Sequence, residues 1–71
     1  MKRRELLKRI RICAHANGLA LEQLREGANH TIFGVGDFEF PVPRHSEVNE
    51  YTARAIMKDL SNQLGEGWWR R

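Results

Sequence analysis

The first part of the chain carries apolar residues at helical spacing. At about 100° per residue, these apolar residues gather in one sector and most basic residues gather on the far side. Gly18 follows the segment, where a left-handed C-terminal cap is expected. We therefore predict a first helix from residue 2 to about residue 17. Its packed face holds Leu6, Leu7, Ile10, Cys13 and Ala14, and its basic face holds Arg4, Lys8, Arg11 and His15.

Three short segments after this helix have the pattern of β-strands. The stretch LALEQLRE (residues 19–26) contains good helix formers, but Leu19 and Leu21 alternate as in a strand, and we interpret residues 20–26 as a strand. Residues 27–29 predict a tight turn, because Gly and Asn tolerate backbone angles that larger residues resist. Residues 31–33 are β-prone, residues 34–37 are predicted to turn the chain, and residues 38–42 resume the strand pattern.

The third predicted strand has one apolar face. Phe38, Phe40 and Val42 alternate with other residues, which places their side chains on the same side of a sheet. Pro41 and Pro43 have no N–H to donate to a neighbouring strand. We therefore expect this strand to lie at an edge of the sheet or to be ending at these prolines.

A second helix is predicted to begin near Asn49. Asn is a favourable N-cap residue, and Glu50 suits the positive end of the helix dipole, with Ser46 as the competing start. Gly65 and Gly67 mark the end of the helix. Helical spacing places five apolar residues on one face of it: Ala53, Ile56, Met57, Leu60 and Leu64.

These elements predict an α+β fold with the order α-β-β-β-α. A three-stranded antiparallel sheet with both helices on one face buries every apolar stripe. That is the layout of a double-stranded-RNA-binding domain, although a fold alone assigns no function. The 71 residues form one domain, with a core of about residues 1–64. We expect residues 65–71 to be a poorly anchored tail, in which Trp68 and Trp69 cover apolar surface or dock on a partner.

Basic residues are concentrated at the start of the chain. The whole sequence has a formal net charge of +3, and residues 1–11 hold six of its twelve Lys and Arg residues with one acidic residue. Such asymmetry favours a phosphate-bearing or acidic partner, and a plain solvated helix face is the alternative.

Cysteine content and hydropathy narrow the class of protein. Cys13 is the only cysteine, which excludes an internal disulfide and a cysteine cluster for a metal. We therefore expect a reducing, cytoplasmic location. No stretch approaches the roughly 18 apolar residues of a membrane span, and the basic start lacks the apolar run of a signal peptide. No membrane partner is expected.

His30 is the best candidate for a catalytic group. In the stretch REGANHTIF it stands where small turn residues enter a strand, so another molecule's backbone can approach its ring. An imidazole exchanges protons near neutral pH, and with RNA it can take the proton of a 2′-hydroxyl that then attacks the neighbouring phosphate. Cations that can offset the developing charge are Lys8, Arg11, Arg25 and Arg44. The alternative is an ordinary turn residue with surface hydrogen bonds.

Other candidate groups have weaker support. His15, His30 and His45 lie in different segments without the spacing of a zinc motif, so no metal site is predicted. Ser46 lacks an orienting acid and a nucleophile-elbow sequence. The stretch PVPRH stiffens the chain ahead of the second helix, either as a rigid connector or as a binding element.

The stretches MKRRELLKRI, REGANHTIF and VPRHSEVNEYTARAIMKDL together resemble the HicA toxins of type II toxin–antitoxin systems, over about residues 1–60. The resemblance implies a small, metal-independent endoribonuclease that cleaves mRNA without a cofactor. It implies His30 as the catalytic group and a HicB-like antitoxin that masks the active surface. The usual Gly-Ser before the histidine is Ala28-Asn29 in this chain. The residues assigned to RNA binding are Lys8, Arg11, Arg25, Asn29, Arg44 and His45.

Two further hypotheses come from other functional classes. One is a non-catalytic RNA-binding module on the same fold, which would show salt-sensitive binding without cleavage. The other is a protein-interaction subunit in which Trp68 and Trp69 dock on an antitoxin.

Overall fold

The computed structural model describes residues 1–70 and gives the predicted α+β order. Three antiparallel strands form one sheet in the order β1-β2-β3, so β2 is central and β3 lies at an edge, as predicted. The elements are α1 (Arg3–Ala16), β1 (Leu21–Glu26), β2 (His30–Val35), β3 (Phe38–Pro43), α2 (Glu50–Asp59), α3 (Ser61–Leu64) and a 3₁₀ helix (Trp68–Arg70).

One face of the sheet supplies its part of the hydrophobic core. Phe33 and Val35 of β2 lie beside Phe40 and Val42 of β3, and all four side chains are buried. The two main helices cover this face with their predicted apolar residues, among them Leu6, Ile10, Ala53 and Ile56. The opposite face of the sheet is open.

The first helix follows its predicted bounds and faces. Gly18, just beyond its end, has φ +73°, the left-handed conformation that glycine adopts without steric cost. Leu6, Ile10 and Ala14 are fully buried, and Lys8 and Arg11 are exposed on the other side. The helix therefore presents its basic face to solvent.

The turn between β2 and β3 is shorter than predicted. The sequence predicts a turn over residues 34–37, but β2 continues to Val35 and only Gly36 and Asp37 form the connection. Val35 pairs with Phe38 across this two-residue turn, in which Gly36 has φ +60°. Gly34 pairs with Glu39 and so continues the strand. Leu24 of β1 lies over it, and a Cβ on Gly34 would be 2.9 Å from Leu24 Cδ1, so the close approach of this side chain favours glycine.

The second helix begins as predicted and ends earlier. The Asn49 side chain caps it by accepting a hydrogen bond from the backbone N–H of Tyr51 at 2.8 Å. The regular helix stops at Asp59, and the short α3 follows after Leu60. Leu60 and Leu64 are both buried, so the apolar face continues from α2 into α3. The helical spacing of apolar residues in the sequence therefore does not reveal the break between the two helices.

Trp68 in the C-terminal segment covers apolar surface, as one of the two predictions for it states, but the segment is held in the core, which corrects the prediction of a poorly anchored tail. Gly65 and Gly67 have positive φ values and turn the chain back towards α2. The Trp68 side chain is 3% exposed, and its indole N–H donates to the Met57 carbonyl at 2.8 Å. The expected core of residues 1–64 therefore extends to Trp68, while Trp69 is half-buried.

The connection from β3 to α2 is held against the start of α1. The amino group of Met1 lies 3.2 Å from Glu50 Oε1 and 3.1 Å from the Val48 carbonyl oxygen. The Arg3 N–H donates to the Ser46 carbonyl at 2.8 Å. These bonds place the basic start of α1 beside the segment that carries Arg44.

Candidate nucleic-acid interface

A basic cleft lies between the first half of α1 and the segment after β3. Six of its nine lining residues are basic and one is acidic. Glu5, the acidic one, pairs with Arg9 at 3.6 Å rather than with a basic residue of the cleft. Lys2 pairs with Glu47 at 3.6 Å and Arg44 pairs with Glu26 at 3.7 Å, so the charge available to an anionic ligand comes mainly from the other cations of the cleft. The cleft is lined by Lys2, Arg3, Arg4, Glu5, Leu7, Lys8, Arg11, Arg44 and Ser46.

Three cations of the basic cleft have no partner within the described residues. The side chains of Arg4, Lys8 and Arg11 are exposed and make no ion pair or hydrogen bond in residues 1–70. They lie on one face of α1, where residues three and four apart are neighbours. An exposed row of unpaired cations is a favourable site for a phosphate backbone.

Arg44 connects the basic cleft to the turn before His30. Its Nη1 atom donates to the carbonyl oxygens of Gly27 at 3.2 Å and Ala28 at 3.4 Å. Its backbone N–H donates to the Asn29 carbonyl at 3.2 Å. Arg44 therefore lines the cleft and fixes the backbone of the 27–29 turn.

A polar network next to Arg44 joins α1 to the end of the sheet. The Thr31 hydroxyl is 2% exposed; it donates to Glu26 Oε1 and accepts from Arg3 Nη2 at 3.1 Å. Arg3 Nε also donates to the Pro43 carbonyl at 2.8 Å. Glu26 Oε2 lies 3.7 Å from Arg44 Nη2, so the network reaches the 27–29 turn.

This network was missed by reasoning from the sequence. The sequence feature that indicates a buried polar network is Thr31. It is a polar residue at an inward position of a strand whose other inward residues are Phe33 and Val35. A buried hydroxyl needs a hydrogen-bond partner. The identity of its partners, Arg3 and Glu26, depends on the packing of α1 at the end of the sheet.

His30 is the first residue of β2 and stands opposite Pro43. Because Thr31 points into the core, the His30 side chain lies on the open face of the sheet. Its ring is exposed and makes no hydrogen bond or ion pair in residues 1–70. Its carbonyl accepts from the Gly27 N–H at 2.7 Å, which closes the 27–29 turn. The ring is thus free for a ligand, on a backbone that is fixed.

The structure brings together only some of the predicted RNA-binding residues. Lys8, Arg11 and Arg44 line the basic cleft. Asn29 lies in the turn, where its backbone carbonyl is bound and its side chain is exposed. Arg25 lies outside the cleft and pairs with Glu39 at 3.1 Å. His45 is exposed but is not among the residues that line the cleft.

A second groove lies at the other end of α1. It runs between the C-terminal half of that helix and the 3₁₀ helix. Ile12, a large apolar residue of this groove, is 60% exposed. The groove is lined by Arg9, Ile12, Cys13, Ala16, Asn17, Trp68 and Trp69.

Within residues 1–70, no three His, Cys, Asp or Glu side chains lie close enough together to hold a metal ion. None of the helices in this range has the length and apolar character needed to cross a bilayer. The fold and cleft define a small α+β domain with a basic surface and an exposed histidine. A scan against protein-family models finds no match, and searches of curated proteins and of solved structures find none either.

Proposed function

We propose that this protein is an endoribonuclease of the HicA type, the toxin of a type II toxin–antitoxin system, which cleaves mRNA in the cytoplasm. The observation that carries the proposal is the position of Arg44. It lines the basic cleft and also holds the turn from which His30 projects. A phosphate backbone in the cleft is thereby linked to the exposed imidazole that adjoins this turn.

His30 acts as the general base in the proposed reaction. Its imidazole takes the proton of a ribose 2′-hydroxyl, and the 2′ oxygen attacks the adjacent phosphorus. The bond from phosphorus to the 5′ oxygen breaks, and this oxygen receives a proton from the imidazolium or from water. The products are a 2′,3′-cyclic phosphate and a 5′-hydroxyl. DNA is not cleaved, because it lacks the 2′-hydroxyl.

Arg44 and Asn29 support the proposed reaction at the phosphate. The Arg44 side chain is 50% exposed, so its guanidinium can approach a phosphate oxygen while it still bonds the turn. The exposed Asn29 amide stands beside His30 and offers a second donor where the HicA pattern has serine. Donors aimed at the developing charge are the main means by which such a site accelerates the reaction without a metal.

The partner proposed for this protein is a HicB-like antitoxin. To mask the active surface it has to cover the 27–29 turn and the basic cleft. The unpaired Arg4, Lys8 and Arg11 favour an acidic surface on that antitoxin.

The test is a comparison of wild-type protein with His30→Ala on a single-stranded RNA labelled at its 5′ end. We expect wild-type protein to leave a 2′,3′-cyclic phosphate and His30→Ala to be slower by roughly 10²- to 10⁴-fold. His15→Ala is the matched control, because His15 is also exposed but lies on α1. Equal cleavage or equal toxicity in growing cells for wild-type protein and His30→Ala would refute the assignment of His30.

One observation favours a non-catalytic RNA-binding module as the second candidate. The His30 ring and the basic cleft lie on different sides of the sheet, so the cleft can hold RNA without the histidine. Salt-sensitive RNA binding that His30→Ala leaves unchanged, with no cleavage by wild-type protein, would establish this alternative.

A further inference from the structure

We propose, building on the function proposed above, that the basic cleft is a subsite for a phosphate that is not cleaved. The substrate is then a flexible single strand that passes round the end of the sheet at Arg44 to reach His30. The proposal rests on the placement of the cleft, Arg44 and His30 in three successive positions around one end of the sheet.

The cleft and His30 lie on opposite sides of the sheet. Thr31 points towards the helices and bonds Arg3 of α1, whereas His30, its neighbour in β2, projects from the open face. The cleft is formed by α1 on the helix side. Packed layers lie about 10 Å apart, and His30 is not among the residues that line the cleft, so the proposal places Lys8 and His30 at different phosphates of the substrate.

Arg44 stands at the end of the sheet between these two positions. It follows Pro43, the residue paired with His30, and its side chain lines the cleft. Its bonds to the Gly27 and Ala28 carbonyls hold it at this corner. A single-stranded RNA that leaves the cleft therefore meets Arg44 before it reaches His30.

A duplex does not fit this path. Double-stranded nucleic acid is stiff over about 150 bp and does not bend within the thickness of a small domain. A single strand bends at each nucleotide and can follow the corner. The layout shared with double-stranded-RNA-binding domains is thus used here for a different kind of RNA.

The first experiment measures binding of a single-stranded 12-nucleotide RNA in the His30→Ala background, in which the RNA stays intact. We expect Lys8→Gln with Arg11→Gln to weaken binding at least 10-fold. The slope of log K against log salt should fall by about 0.7 for each phosphate that the variant no longer neutralises. Arg54→Gln with Lys58→Gln is the matched control, because it removes two exposed charges from α2, outside the cleft. We expect it to change binding less than 3-fold.

The second experiment tests the path. The same RNA is compared as a single strand and annealed to its complement, and then with single phosphates replaced by neutral methylphosphonates. We expect at least 10-fold tighter binding of the single strand. One methylphosphonate position should weaken binding, and it should be separated from the cleavage site.

The outcomes separate this inference from the proposed function. Equal binding by the Lys8/Arg11 variant and its control would overturn the subsite, and equal or tighter binding of the duplex would overturn the path. The affinities are measured on uncleaved RNA, so they remain valid if wild-type protein proves inactive; only the comparison of the methylphosphonate position with the cleavage site needs an active protein. Cleavage by wild-type protein combined with either negative result would refute this inference and leave the function in place. Arg4→Gln, a third exposed cation of the cleft, repeats the subsite test if the double variant unfolds.

Discussion

Arg3 and Thr31 join the first helix to the central strand through a hydrogen bond of 3.1 Å between Arg3 Nη2 and Thr31 Oγ1. The Thr31 hydroxyl also donates to Glu26, so it serves as donor and acceptor at a position that is 2% exposed. Thr31 follows His30 in β2, and Glu26 is the residue before the 27–29 turn, so these bonds join the two ends of the turn that presents His30. Stability of the fold and geometry of the candidate site therefore depend on the same hydroxyl.

Replacing this hydroxyl should destabilise the protein. Thr31→Val keeps the shape of the side chain but leaves Arg3 Nη2 and Glu26 Oε1 without their partner. We expect a loss of about 1–3 kcal/mol in the free energy of unfolding, measured by urea denaturation. Thr31→Ser is the control, because it retains the hydroxyl and should cost less than Thr31→Val. If the two variants unfold at the same urea concentration, the hydroxyl contributes no stability.

Trp68 should contribute to stability rather than only to partner binding. It is 3% exposed and bonds the Met57 carbonyl, so Trp68→Ala removes a buried side chain and leaves that carbonyl unsatisfied. We expect a loss of about 3–5 kcal/mol, measured by thermal or urea unfolding. Trp69→Ala, at the half-buried neighbour, should cost clearly less. A chain ending at Leu64 that unfolds like the full chain would contradict the placement of Trp68 in the core.

The two-residue turn between β2 and β3 depends on Gly36. Its φ of +60° is disfavoured for residues with a Cβ, although the nearest atom to such a Cβ would be at an ordinary 3.6 Å. Gly36→Ala should therefore cost about 1–2 kcal/mol through the backbone alone. Gly36→Asn should cost less, because Asn tolerates this conformation better. Equal stability of the Ala variant and wild-type protein, measured by urea denaturation, would contradict the left-handed turn.

Most of the fold could be predicted from the sequence, because its elements depend on local patterns. The bounds of α1, the Asn49 cap and the alternation of Phe40 and Val42 each follow from residues close together in the chain. For Trp68 the sequence left two roles open, covering apolar surface or docking on a partner, because its burial depends on two glycines that turn the chain back onto α2.

The candidate site was less predictable than the fold. Residue type identified His30, Lys8 and Arg11 as candidates, but residue type carries no information on which side of a sheet each one lies. The link through Arg44 joins residues 16 and 17 positions apart in the sequence, and only the packed structure shows it. Judged by charge alone, Arg25 belongs with these cations. In the structure it pairs instead with Glu39 on β3, which the sequence does not reveal.

Stability at alkaline pH should depend on the amino group of Met1. Its hydrogen bond to Glu50 raises the pKa of this group above the ordinary value of 8.0, with Glu47 acting in the same direction. The protonated group therefore stabilises the folded state fully below about pH 8, and this contribution is lost as the pH rises through the folded-state pKa. We expect the melting temperature to fall above pH 8 more steeply for wild-type protein than for Glu50→Gln. Parallel profiles of melting temperature against pH for the two proteins would show that the pair of the Met1 amino group and Glu50 contributes no stability.

Arg44→Lys should separate RNA binding from cleavage if the proposed function holds. Lysine keeps the positive charge in the basic cleft, but it is a point charge and does not reproduce the guanidinium bonds to Gly27 and Ala28. The 27–29 turn should loosen, so the exchange of the Gly27 amide proton, which bonds the His30 carbonyl, should become faster. We expect RNA affinity within about 3-fold of wild-type protein, because phosphate attraction depends mainly on charge. Cleavage should fall on the order of 10- to 100-fold, because the imidazole is less well placed. Equal losses of affinity and cleavage, with unchanged exchange at Gly27, would show that Arg44 acts only through its charge.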